Sequence, residues 1–207
     1  MSQVATLAVS RPRVAAAQRP MDLATAEEAA AAFLEALGLP VNSPGMLDTP
    51  RRMAQAYAEM LTVPSFDLTT FPNTEGYDEL VVVEDIPVRS LCEHHMLPFI
   101  GVAHIGYLPG DRILGLSKFA RTVDFFAQRP QTQERLTKQI ADHLQVQLGP
   151  RGVGVVISAE HSCMTLRGVR ATGARTVTSA LYGSLRDDPA GRAEFLSLTR
   201  DRKEVAR

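Results

Sequence analysis

The pattern of apolar and polar positions divides the chain into an all-helical first part and a mixed remainder. Ala26–Leu37 reads as a helix: Thr25-x-x-Glu28 forms a capping box, and Gly38 followed by Pro40 stops it. Val41–Asp48 is a linker. A second helix opens at Thr49 with Pro50 in its first turn and runs to about Leu61, followed by a loop over Val63–Gly76. The character then changes. Leu80–Val83, Ile100–Leu108, Val153–Glu160 and Arg175–Leu181 are short β-rich apolar runs. Between them, Ser117–Gln128 predicts a helix broken by Pro130. Thr132–Leu148 predicts a longer one, with Leu136, Ile140, Leu144 and Leu148 stacked on one face and Gly149-Pro150 as the stop. Asp188–Thr199 closes the chain as a short helix. The order is α-α-β-β-α-α-β-β-α. Strands that come in pairs predict an α+β domain, with an antiparallel sheet and helices on one face, and argue against a doubly wound fold. The expected organisation is a disordered tail over 1–22, an N-terminal helical region over 23–76 and a catalytic domain over 77–207.

Composition narrows the function classes. The chain has 207 residues, 45% of them hydrophobic and 22% charged, with no tryptophan, so a core must rest on Leu, Ile, Val and Ala. No run of 18 apolar residues is present, which leaves no membrane-spanning segment. The formal charge is −1, without the basic excess of a nucleic-acid binder. An anionic ligand would have to meet a local cluster of Lys and Arg. Residues 1–20 hold Arg11, Arg13 and Arg19 and no acidic residue, which fits a disordered tail or, less well, a transit peptide. Two cysteines are too few for a secreted disulfide scaffold and fit reduced thiols in a cytoplasmic protein.

Those thiols sit in the densest polar clusters. Cys92-Glu93-His94-His95 puts a thiolate and an imidazole within reach of one ion. His161-Ser162-Cys163 lies at the end of a strand, and if that strand continues, His161 and Cys163 share a side. Two thiolates and one imidazole suit zinc, and three protein ligands leave the fourth tetrahedral position for water. Buried packing cysteines and a chance C-x-x-H are the alternative from spacing alone. His94 and His161 would remain beside the metal as proton carriers. His104, within a strand, and His143, on the long helix, read as structural or solvent-facing. Gly115-Leu116-Ser117-Lys118-Phe119-Ala120-Arg121 turns into a helix with Lys118 and Arg121 on one face. It is a phosphate site or a solvated face, without the glycine spacing of a Walker loop. Arg167 and Arg170 bring further positive charge near Cys163. Glu134, after Gln133, could favour the helix dipole or accept two parallel N–H bonds from a guanine edge.

The segments CEHHMLPFIG, HIGYLP, GLSKFAR, RPQTQERLTKQI, GVGVVISAEHSCMTLRGVR and TVTSALYG resemble GTP cyclohydrolase I. The likeness is continuous from about Asp78 to Arg200 and weaker from Thr49. It implies an enzyme that opens the imidazole ring of GTP to give 7,8-dihydroneopterin triphosphate and formate, at the entry to folate or tetrahydrobiopterin. It implies zinc on Cys92, His95 and Cys163, catalytic His94 and His161, and Ser117 and Lys118 near the ribose and phosphates. It implies Arg121 and Arg167 on the triphosphate, Arg52 reaching it from a neighbouring subunit, and Gln133 with Glu134 on the guanine. The implied fold is the tunnelling type, assembled as a decamer of two stacked pentamers with active sites between subunits. One departure is Gln55, where some bacterial members carry a basic residue. A specialised deazapurine route, a scaffold that has lost catalysis, and the nitrile reductase of deazapurine synthesis on the same fold are the competing readings.

Overall fold

The structure is a computed structural model and describes residues 8–199. The chain forms two units, one of residues 16–63 and one that joins the segment before it to the segment from residue 64 onward. The expected tail and the end of the expected catalytic domain fall partly on residues 1–7 and 200–207, outside the described residues.

The smaller unit is a helical hairpin of α1 (Leu23–Ala36) and α2 (Thr49–Leu61). The capping box at Thr25 is not the start of α1. Asp22 is the cap, and its carboxylate accepts the Thr25 N–H at 3.0 Å and the Thr25 hydroxyl at 2.8 Å. An Asp three residues before a Thr satisfies the same orphan donor one turn earlier, so the helix gains its first turn there. These bonds hold the Asp22 carboxyl below its usual range. Gln18 closes the far end of α2, donating to Leu61 O at 2.8 Å and accepting from Val63 N at 3.2 Å. Ala30, Leu34, Val41, Pro50 and Ala54 are the unit's buried apolar residues.

The larger unit holds β1 (Arg13–Val14), β2 (Phe66–Asp67), β3 (Thr70–Pro72), β4 (Val81–Cys92), β5 (Pro98–Leu108), β6 (Arg112–Leu114), β7 (Pro130–Gln131), β8 (Gly152–His161) and β9 (Thr176–Gly183). Its helices are α3 (Ser117–Ala127), α4 (Gln133–Leu148), α5 (Ser162–Thr165), α6 (Ser184–Asp187) and α7 (Pro189–Leu198). The main sheet has the order β7-β4-β5-β8-β9, antiparallel throughout except for the short parallel pair β4–β7. The expected loop over Val63–Gly76 contains β2 and β3, which pair with β1 and β6. Leu80–Val83 proves to be the beginning of a strand that runs to Cys92. Glu84-Asp85 is absorbed as a β-bulge, with Asp85 at φ +53° donating its N–H to His104 Nδ1 at 3.3 Å. Pro87 is tolerated because β4 is there an edge strand, its outer neighbour β7 reaching only Leu91 and Cys92.

Partners across an antiparallel ladder point to the same face. Ser90, Phe99 and His161 are in register, as are Ala103, Ile157 and Thr178. Ser90 Oγ donates to Ala127 O of α3, and Thr178 Oγ1 bonds Thr137 of α4, so both long helices lie on this face. Leu136, Ile140 and Leu144 of α4 are at most 1% exposed. Each such side chain contributes roughly 1.5–3 kcal/mol by leaving water. Thr132 caps α4 by accepting the Arg135 N–H, and Gly149 ends it in the left-handed conformation. The opposite face is covered at one end by α6 and α7, where Leu185 and Phe195 bury Val156. Gly106 and Gly154 are paired beneath the Phe195 ring, and a Cβ on Gly154 would lie 2.5 Å from it. Glycine is required at both positions by that close approach.

Candidate metal centre and active site

At the other end of the strands, β4 and β8 deliver the polar residues. After Cys92 the backbone makes a tight turn. Cys92 O accepts from His95 N at 3.3 Å and Met96 N at 2.8 Å, Cys92 N donates to Leu97 O at 2.8 Å, and Met96 takes φ +53°. This brings His94 and His95 back beside the cysteine. Strand β8 stops at His161 and does not carry on through Cys163; residues 162–165 form the helical turn α5. The expected strand alternation is therefore not what aligns Cys163. The helical turn is, and it sets Cys163 Sγ 4.0 Å from Cys92 Sγ.

Cys92 Sγ, Cys163 Sγ and a ring nitrogen of His95 all lie within 4.8 Å of one another. The spacing suits ligand bonds of about 2.0–2.3 Å to a shared centre. Burial pushes the Cys163 thiol up, and the adjacent Cys92 sulfur adds to the effect. Two ionised sulfurs at that separation need a cation between them. His94 Nδ1 is 3.7 Å from Cys92 Sγ, and Arg167 donates to His95 Nε2 at 3.2 Å. Arg170 is exposed at φ +49°.

His161 stacks on Phe99 with ring centroids 4.5 Å apart and bonds Gln133 Oε1 through Nε2 at 2.8 Å. The orientation of Gln133 fixes the tautomer. Its amide nitrogen donates to Ile157 O at 3.0 Å, Thr176 O at 2.9 Å and Thr178 Oγ1 at 3.1 Å, so Oε1 is left to accept and His161 Nε2 must carry the proton. Among the described residues no hydrogen bond engages Nδ1. Burial lowers the His161 pKa, and the Glu134 carboxylate acts against that shift. Gln133 was expected beside Glu134 on the guanine. It is 2% exposed with its amide engaged in the protein, and Glu134 is exposed at the start of α4.

Ser117, Lys118 and Arg121 stand at the start of α3, the first and last exposed and Lys118 half-buried. Among the described residues no hydrogen bond or ion pair joins them to the cysteine cluster. Arg52 belongs to the helical hairpin, on α2, where it pairs with Asp48 at 3.2 Å; Gln55 accepts from Arg51 at 3.4 Å. His104 is buried and structural, as expected. His143 is half-buried against Phe126, with ring centroids 5.4 Å apart, and burial lowers its pKa. Sequence reasoning missed Phe99, Gln131 and Arg135. Pro130 drew attention as a helix breaker, while Gln131 beside it, polar yet 1% exposed, gave no periodic signal.

The model of GTP cyclohydrolase I matches residues 26–200. The chain belongs to the GTP cyclohydrolase I family. It is 48% identical to GTP cyclohydrolase 1 of Bacillus cytotoxicus over 186 residues, covering 88% of this chain and 98% of that protein. It is 53% identical to the GTP cyclohydrolase 1 of Mycobacteroides abscessus, over 86% of this chain and 89% of the relative. The Aquifex aeolicus GTP cyclohydrolase 1 is 50% identical, over 84% and 95% respectively. The α+β fold with its antiparallel sheet is that of this family, the tunnelling type. No helix among the described residues is long and apolar enough to cross a membrane.

Proposed function

We propose that this GTP cyclohydrolase I family member hydrolyses the imidazole ring of GTP, releasing formate and leaving 7,8-dihydroneopterin triphosphate, the first step of folate or related pterin synthesis in the cytoplasm. The observation that carries the reading is the convergence of Cys92, His95 and Cys163 within 4.8 Å, at the sheet end that also presents His161. The donor set, two thiols and one imidazole, fits zinc. These three side chains would hold it, and when bound it supplies a Lewis acid that brings water ionisation toward neutral pH.

The protein's own groups then divide the remaining work. Guanine C8 is a poor electrophile until N7 is protonated. His161 keeps one proton on Nε2 toward Gln133, so its imidazolium passes the other from Nδ1 to N7. Its lowered pKa makes that imidazolium a willing acid. Glu134, exposed at the start of α4, accepts the paired N–H groups of the guanine edge. His94 and Ser117 serve the proton transfers of the later sugar rearrangement and ring closure. The triphosphate is not cleaved; Lys118, Arg121 and Arg167 bind it as a handle whose energy positions the base. Arg52 joins them from a neighbouring subunit in a decamer of two pentamers, the sheets joined edge to edge. That assembly is supported by the open outer edges of β9 and of most of β4.

Incubation of the full chain with GTP should release formate and give, after oxidation, a fluorescent pterin, with about one zinc per chain by elemental analysis. Cys163→Ser should lose both metal and formate release. Full turnover of that variant in chelator-treated buffer would overturn the metal role.

A further inference from the structure

The turn that carries His94 and His95 is exposed and backbone-strained, yet its side chains must be held to a fraction of an ångström. What holds it lies outside the expected site. Gln131 is 1% exposed. Its backbone O accepts the Glu93 N–H at 3.0 Å, immediately after Cys92. Its side-chain amide donates to Phe126 O at 2.8 Å and to Gln139 Oε1 at 2.9 Å, which leaves Oε1 to accept from Arg135 Nε at 2.8 Å. The same guanidinium donates through Nη2 to Pro130 O at 2.9 Å and to the Glu93 carboxylate. Arg135 is one residue beyond Glu134 and two beyond Gln133. One side chain therefore fastens the histidine-bearing turn to the helix end that carries the residues facing His161 and the base.

We infer that Arg135, seated by Gln131, is a positioning residue that clamps Glu93 and so presets the Cys92–His95 turn for its metal. The inference rests on the metal reading above. An isolated ion pair with 42% and 32% side-chain exposure would contribute little. Here the guanidinium is fixed by two further acceptors before it meets Glu93, so its orientation is already determined. Freed from the clamp, the turn would sample geometries in which His95 and Cys92 no longer share a centre with Cys163. Metal affinity is then lost without loss of any ligand.

The test uses the full chain stripped of metal and titrated with cobalt(II), whose visible absorption reports thiolate coordination, and with zinc against a chromogenic chelator. Arg135→Met should weaken zinc binding by roughly 10–100-fold. Arg135→Lys should recover part of it. Glu93→Met should match Arg135→Met, and the double variant should be no worse than either. For formate release, kcat should fall in the zinc-limited enzyme while KM for GTP stays near that of the wild type. A merely structural role would lower the Tm of all four variants and leave cobalt affinity unchanged. Unchanged affinity in Arg135→Met, or additive losses in the double variant, would overturn the clamp. If wild type binds cobalt and Cys163→Ser does not, that failure leaves the metal reading standing. A wild-type chain that takes up no cobalt overturns both.

Discussion

The two ends of the central strands are built on opposite principles. Where α6 and α7 cross the sheet, Phe195 and Leu185 have no exposed surface and Gly106 and Gly154 are cut away to admit the ring. The cluster packed there is apolar, with Val156, Leu80, Val82, Leu108, Leu181 and Leu196 around the two side chains. At the other end, β4 runs out in Cys92, with Glu93 next, and β8 in Glu160 and His161, on either side of Pro98 and Phe99 of β5, with His94, His95 and Arg167 open to solvent. The apolar end is held by shape and fails through cavities or overlap. The polar end is held by directed hydrogen bonds and fails when one donor is left without its acceptor. One sheet carries both because its middle, buried on both faces in β8, keeps the strands in register between them.

Four substitutions test this contrast. Phe195→Ala should have the largest effect on stability, about 3–5 kcal/mol, measured by urea unfolding. Metal bound per folded chain should not change; a loss of metal would mean that the two ends are not separate. Gly154→Ala should cost about 1–3 kcal/mol by overlap, and Phe195→Leu in the same chain should recover much of it. If the losses simply add, the ring is not what requires glycine there. At the polar end, Gln133→Leu should cost about 1–2 kcal/mol by stranding its acceptors. Its sharper consequence is for His161, which loses the acceptor for its Nε2 proton. Its pKa falls further, and the pH profile of formate release should move to the acid side. An unmoved profile would remove Gln133 from the chemistry.

The smallest effect concerns His143. Burial depresses its folded pKa below the usual 6.5. Its contribution is therefore complete above that pH. On acidification the unfolded chain takes up a proton that the folded chain resists, and stability declines. His143→Gln should flatten this acid limb, read as Tm at about pH 7.5 and about pH 5.5. An equal Tm drop in both proteins would assign the acid sensitivity elsewhere.

What could be read from the sequence follows the same division. Leu136, Ile140, Leu144 and Leu148 announce α4, and the paired apolar runs announce the antiparallel sheet, because burial imposes a period. Cys92, His95 and Cys163 could be named because metal ligands are few in kind. The length of β4 was hidden by Glu84-Asp85 and Pro87, whose usual meaning is reversed by a bulge and an open edge. The start of α1 was misplaced because Asp22 and Thr25 are both competent caps, and only the backbone decides between them. Gln131 and Arg135 left no trace, since a polar side chain chosen for the geometry of its bonds obeys no periodicity.

Cys92 and Cys163 hang from strands that are not neighbours: β5 runs between β4 and β8. The three candidate ligands come together only when both ladders are paired to their final rungs, Leu91 against Pro98 and Phe99 against His161. A slip of one rung would turn Phe99 and His161 to the wrong side of the sheet. An ion captured there by a refolding chain would therefore report that three strands have aligned correctly.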